Sequence, residues 1–183
     1  MTKLENNYWR YMDRMDAAGL RELMDAYGQD VWNLAYVITR RHDLADDIAQ
    51  DVFLKVYQSI GAFRGASSIR TWLLALTRNT AINYKRTAFM RRVLLVGRTA
   101  AHEGKSPSAE QEAMEQELTS EIWSAVLELP VKLREVLVLH ARYEMTTKEI
   151  ADALELPEGT VKTRLSRARK RMSSKWKESA AYE

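Results

Sequence analysis

Cysteine is absent from the 183 residues, which excludes a disulfide framework, thiolate metal sites and cysteine nucleophiles and fits a reducing compartment. Glycine and proline are scarce, at 7 and 3 residues. Apolar residues recur at three- and four-residue spacing instead of alternating, so an all-α fold is expected. No stretch approaches the ~20 apolar residues of a membrane span. The opening MTKLENNYWRYMDRMD carries acids and no apolar run of seven, unlike a signal peptide. The expectation is therefore a soluble, intracellular chain without membrane insertion. Histidine occurs only at His42, His102 and His140, and no carboxylate pair sits in an apolar setting that would shift its pKa. Neither an enzyme nor a metal or cofactor site is expected. The segment from Gly97 to Ser106 ends in Gly-Lys-Ser, but six residues separate its glycines where a P-loop has four, and no strand precedes it.

What is present is helical periodicity in two blocks. Leu20, Leu23, Met24, Tyr27, Val31, Leu34, Ala35 and Ile38 make one stripe, ending at the polar run from Thr39 to Asp43. Leu44, Ile48, Val52 and Val56 make a second, stopped by Gly61. Ser67 or Ser68 caps a third helix that buries Ile69, Trp72, Leu73, Leu76, Ala81 and Tyr84. Residues 103 to 117 then turn to Gly, Lys, Ser, Pro, Ala, Gln and Glu, a composition that buries too little to offset its ordering entropy. Periodicity restarts at Leu118, Ile122, Val126, Leu127 and Leu129, is interrupted by Pro130, and resumes at Leu133, Val136, Leu137 and Leu139. At ~100 to 200 residues per domain, this predicts two small helical domains, 1–90 and 119–178, joined by a flexible linker over 91–118.

Charge separates along the chain although the total nearly balances, with 28 Lys plus Arg against 25 Asp plus Glu. Between Val52 and His102 there is no acid and nine Lys or Arg, while Asp43, Asp46, Asp47 and Asp51 lie just before. Such segregation is unusual in an inert surface, where mixed signs favour solubility. On the second helix Asp43, Asp46, Asp47, Gln50, Leu54 and Tyr57 share one side, opposite Ile48, Val52 and Val56. An acidic face with apolar side chains suits a protein partner. The basic stretch interleaves Phe63, Trp72, Tyr84 and Phe89 with cations, Asn79 and Asn83, which suits stacking on and hydrogen bonding to unpaired bases. Core packing is the plainer reading of most of Trp72's surface. Asn79, a poor helix former at mid-helix, has the stronger claim to a polar task.

Near the C-terminus, Thr146-Thr147-Lys148-Glu149 has the capping-box spacing that opens a helix burying Ile150, Ala151 and Leu154. Pro157 and Gly159 predict a tight turn, with Gly159 allowing the bend and Thr160 opening a second helix to about Lys175. That is helix-turn-helix spacing. On the second helix Val161, Leu165, Ala168 and Met172 form an apolar stripe, opposite Thr163, Ser166, Arg167 and Lys170, with Thr160 and Lys162 flanking. Eight Lys or Arg lie between Glu158 and Glu178. A charge run alone is usually a solvated face; behind a capped helix and a turn it suits the DNA major groove.

The blocks DLADDIAQDVFLKVYQSI, FRGASSIRTWLLALTRNTAINYKR, ELPVKLREVLVL and TTKEIADALELPEGTVKTRLSRARKRM, in that order, resemble a bacterial RNA polymerase sigma factor of the extracytoplasmic-function (ECF) group. The resemblance spans about residues 20 to 88 and 119 to 173. It implies a non-catalytic, dissociable subunit that docks on core RNA polymerase through the β′ clamp helices and the β flap. It further implies promoter recognition and melting, often in an envelope stress response, under the control of an anti-sigma factor. The implied place is the cytoplasm, at the nucleoid when polymerase-bound.

Carried over, Asp47, Gln50, Asp51 and Leu54 would contact polymerase. Phe63, Ser67, Ser68 and Asn79 would line a −10 base pocket, with Trp72 and Asn83 nearby and Arg70, Arg78, Lys85 and Arg86 on phosphates. Thr147, Lys148, Thr160, Lys162, Thr163, Ser166, Arg167 and Lys170 would read the −35 element. The 28 residues from Arg91 to Leu118 reach ~95 Å at most, enough to cross the roughly 70 Å of ~20 base pairs at ~3.4 Å each. Residues Asn6 to Met15 match nothing in the family pattern. The competing reading is a stand-alone helix-turn-helix regulator whose N-terminal bundle binds a ligand or dimerises.

Overall fold

The computed structural model describes residues 8–12, 14–94 and 121–179, and all regular structure among them is helical. In the first unit α1 spans Ala17–Thr39, α2 His42–Ser59 and α3 Ile69–Leu94, with a 3-10 turn at Ile60–Ala62 between the last two. The second unit is built on α4 (Glu121–Glu128), α5 (Val131–Ala141) and α7 (Glu158–Ser179); α6 spans Thr147–Leu154. No helix among the described residues is long and apolar enough to cross a membrane. Helix α3 reaches Leu94, so the first residues assigned to the linker are helical; residues 95–118 lie outside the described residues.

Asp16 starts α1, its carboxylate accepting from the Gly19 N–H at 2.7 Å. Five consecutive residues, Val31 to Ala35, are buried because α2 and α3 both pack on this helix. A helix enclosed from several sides has no single stripe, which is why Trp32, Asn33 and Val37 join the core beyond the expected set. Met24, in contrast, is 47% exposed and leaves the stripe. Arg40 closes α1 in the left-handed region at φ 60, its N–H bonded to the Tyr36 carbonyl at 2.7 Å. In α2, Ile48, Val52 and Val56 are fully buried, as their spacing implies.

In the second unit Pro130 precedes α5 and its carbonyl takes the N–H groups of Leu133 and Arg134 at 2.8 and 3.0 Å. Leu129, Leu133 and Ala168 form a core joined by Leu137 and Met172. Ile122 is half-exposed at the margin, although its spacing placed it in the stripe. The Val136 to Leu139 run is helical.

Candidate nucleic-acid interface

The chain between the 3-10 turn and α3 is a tight loop over Phe63 to Ser68. Gly65 has φ +67, a conformation that favours glycine, and an added Cβ would stand 2.7 Å from Arg10 Cδ, so a side chain here would be strained and would displace Arg10. Of the two candidate caps, Ser68 acts: its Oγ accepts from the Thr71 N–H at 3.0 Å, and its carbonyl from the Trp72 N–H at 3.0 Å. Ser67 is half-buried beside it. Phe63 is not an open platform. It is 3% exposed, its ring 5.5 Å from that of half-buried Trp72, because a bare phenyl gains more from the core than from water.

Along α3, Asn79, Asn83 and Arg86 are exposed at a spacing that puts them on one face. Asn79 Oδ1 accepts from Arg78 Nη1 at 3.1 Å. Two of the cations expected on phosphates are bonded to α1. Arg70 Nε pairs with Asp30 at 2.7 Å, and Lys85 Nζ donates to the Ile38 carbonyl at 3.3 Å. Lys55 reaches Thr80 at 3.0 Å. These bonds fasten α3 to its neighbours and leave the amide face outward.

On α2, Asp47, Gln50 and Leu54 are exposed on one side with Tyr57, Leu54 at 54%. The acidic set is otherwise divided. Asp46 accepts from Trp32 Nε1 at 2.7 Å. Asp43 is held below the usual carboxylate range by the Arg41 guanidinium, whose Nε donates at 3.0 Å. Asp51 is half-buried and takes the Tyr84 hydroxyl at 2.6 Å, a strut between α2 and α3. Burial first, and then this carboxylate, push the Tyr84 phenol up to about 12.

An unfolded tyrosine ionises near pH 10, so the stability that the neutral, bonded phenol contributes is complete below pH 10. It is lost as pH climbs toward 12. Tyr84→Phe is expected to lower the unfolding temperature at pH 8, and the gap from wild type should narrow between pH 10 and 12. A gap independent of pH, in thermal melts by circular dichroism, would remove the strut from the stability account.

The helix-turn-helix forms in the second unit. Thr146 and Glu149 make the capping box: Glu149 accepts from the Thr146 N–H at 2.9 Å, and Thr146 Oγ1 from the Glu149 N–H at 3.2 Å. The bend is made by Glu155 at φ 53, with the Leu156 N–H on the Ala151 carbonyl at 2.9 Å. Gly159, expected to bend the chain, lies inside α7 with open space where a Cβ would go. Pro157 precedes the helix, and its carbonyl takes the Thr160 N–H at 2.8 Å.

Val161, Leu165 and Ala168 are buried, and Lys162, Thr163, Ser166, Arg167 and Lys170 are exposed. Thr160 is partly exposed, Lys148 exposed. Thr147 donates to Glu158 at 2.7 Å, tying the start of α6 to that of α7. Lys162 pairs with Glu158 at 2.9 Å, and these two bonds hold the Glu158 carboxylate below its ordinary range.

The basic run is less uniform than its count. Arg164 turns inward, its Nη1 3.1 Å from the carboxylate of Glu135, which is 1% exposed. Lys175 pairs with Glu128. Arg134, also buried, donates to the Leu127 carbonyl and so satisfies an end of α4. Neither Arg134 nor Glu135 is among the residues expected from the sequence to carry a role; adjacent charges inside the apolar run LREVLVL were the available signal. Among the described residues no cluster of three or more His, Asp or Glu is placed to hold a metal.

Comparison with known proteins gives two ordered family matches, Sigma-70 region 2 over residues 23–88 and Sigma-70 region 4 over residues 119–172. The ECF RNA polymerase sigma-E factor of Haemophilus influenzae is 30% identical over 169 residues, covering 87% of this chain and 88% of that one. The ECF RNA polymerase sigma factor SigW of Bacillus subtilis is 30% identical over 163 residues, covering 84% and 87%. Among solved structures, the Bartonella quintana sigma factor RpoE, co-crystallised with the anti-sigma factor NepR, shares the fold at TM-score 0.63 and 21% identity, covering 86% of this chain and 96% of that one. CnrH, solved with the cytosolic domain of CnrY, does so at TM-score 0.65 and 21% identity, covering 95% and 96%. A region 2 match over the N-terminal bundle leaves no place for a stand-alone helix-turn-helix regulator. The chain belongs to the ECF group of bacterial RNA polymerase sigma factors, the non-catalytic subunits that direct transcription initiation at promoters.

Proposed function

We propose that the two units divide promoter recognition, the N-terminal one taking the −10 element and the C-terminal one the −35 element, across the segment that follows α3. The observation that supports this most is the outer face of α3, where Asn79, Asn83 and Arg86 stand exposed on a helix whose inward cations are already bonded to the bundle. Amides at fixed positions on a rigid helix can hydrogen-bond a base that has left the stack. Such contacts offset the few kcal/mol of unstacking without ATP. Ser67 and the capped Ser68 form the rim of the loop, and Phe63 supports it from beneath through Trp72. In the second unit Thr163, Ser166, Arg167 and Lys170, with Thr160 and Lys162, face the major groove.

Core polymerase docks on α2 through Asp47, Gln50 and Leu54, in keeping with the β′ clamp helices, and the second unit meets the β flap. An anti-sigma factor that covers these faces would hold the protein inactive in the cytoplasm, away from the nucleoid, until an envelope stress signal. The test is transcription with purified core polymerase. Asn79→Ala is expected to impair open-complex formation, read by permanganate footprinting, with polymerase binding intact. Equal loss of both would remove Asn79 from the pocket. In the same assay Arg167→Ala should weaken −35-dependent promoters by about 1 to 3 kcal/mol.

A further inference from the structure

The segment ahead of α1 lies outside the family matches, yet it is built into the first unit. Trp9 is 4% exposed and Met15 6%, and both lie against Gly19, where an added Cβ would stand 3.5 Å from Trp9 Cζ3 and 3.1 Å from Met15 Sδ. Just after the Trp9 anchor, Arg10 crosses the loop that precedes α3. The space a Gly65 side chain would fill is taken by Arg10, its Cδ at 2.7 Å and Cγ at 3.0 Å from the Cβ position. Gly65 is glycine for two reasons, its positive φ and this overlying stem. Beside it Tyr11 is 77% exposed, its ring centre 5.8 Å from the Arg10 guanidinium carbon. A ring that exposed supports no core.

We propose that Arg10 and Tyr11 extend the single-strand DNA surface: Tyr11 stacks on a base of the unpaired strand next to the −10 element, and Arg10 neutralises an adjoining phosphate. An exposed aromatic beside a guanidinium, held by a buried tryptophan and adjoining a DNA-reading loop, is the combination that binds unpaired strands. The inference rests on the assignment of the Gly65 loop and Asn79 to the −10 element.

The experiment measures binding of holoenzyme, assembled from the full chain and core polymerase, to a labelled single-stranded oligonucleotide. The oligonucleotide carries the −10 segment of a promoter identified by run-off transcription. Arg10→Gln keeps Cβ, Cγ and Cδ over Gly65 and replaces the guanidinium with a neutral amide. Tyr11→Ala is expected to weaken binding about tenfold, and Arg10→Gln to lower the slope of log affinity against log salt by ~0.7.

Asn79→Ala, run in parallel, separates the two ideas. If it weakens binding while both N-terminal variants match wild type in affinity and salt slope, the proposal is overturned and the −10 assignment stands. If all three match wild type, both fall. If Tyr11→Ala acts and Asn79→Ala does not, the N-terminal contact stands and base capture moves off α3. If Tyr11→Ala weakens assembly with core polymerase and leaves oligonucleotide binding by the assembled enzyme unchanged, the segment is a protein-docking element and the proposal is overturned.

Discussion

Arg164→Met is expected to destabilise the C-terminal unit by about 1.5 to 3 kcal/mol, because it removes one charged partner from a carboxylate that water cannot reach. Glu135 is 1% exposed on α5, and Arg164, 3.1 Å away, comes from the middle of α7. Domains of this size are stable by only about 5 to 15 kcal/mol, so the loss would be a substantial fraction of the total. Binding at the −35 element should fall with it, although Arg164 faces away from the proposed DNA surface. Urea unfolding of the full chain and hydrogen exchange along α7 would measure the effect. Replacing both partners by apolar residues of similar volume should recover part of the loss, since a buried ion pair also carries the cost of taking two charges out of water. A single variant as stable as wild type would show that α7 is held by its apolar stripe alone.

Leu54→Arg is expected to weaken the complex with core polymerase by about 2 kcal/mol or more, roughly thirtyfold, without unfolding the chain. At 54% exposure Leu54 contributes little to the core, so the substitution should stay within about 0.5 kcal/mol in stability. In a docked complex the same position would bring an unpaired cation into a dehydrated contact. It would also break the acidic sign of a face shared with Asp47. Competition against the unmodified protein for labelled core polymerase measures the change. Undiminished binding, with circular dichroism unaltered, would move the docking surface away from this side of α2.

The elements whose signals are local were the legible ones. The Thr146 to Glu149 capping box needs only four neighbouring residues, and the Val161, Leu165, Ala168 stripe only the helical period, and both are in the structure. Long-range pairings were not legible. Arg164 stands three residues after Val161 and four before Ala168, beside the apolar stripe, whereas Arg167 lies opposite it; what was not legible is its partner Glu135, 29 positions away on α5. Asp51 and Tyr84 are separated by 33 positions, so the bond by which Asp51 braces the bundle could not be seen from the sequence. The turn went differently for a local reason. The chain bends at Glu155, one residue past the end of α6, and by Gly159 it has already entered the next helix. Pro157 fixes the entry and makes a flexible residue there unnecessary.

The Asp51 to Tyr84 bond has one more implication. Together with the Trp32 to Asp46 bond it fastens α2 on both flanks, to α3 and to α1. A large assembly that grasps α2 therefore meets a surface already ordered, and little motional freedom is surrendered on association. A twisting force applied at that grip would pass through the brace as through a stiff lever, reaching the helix that carries Asn79.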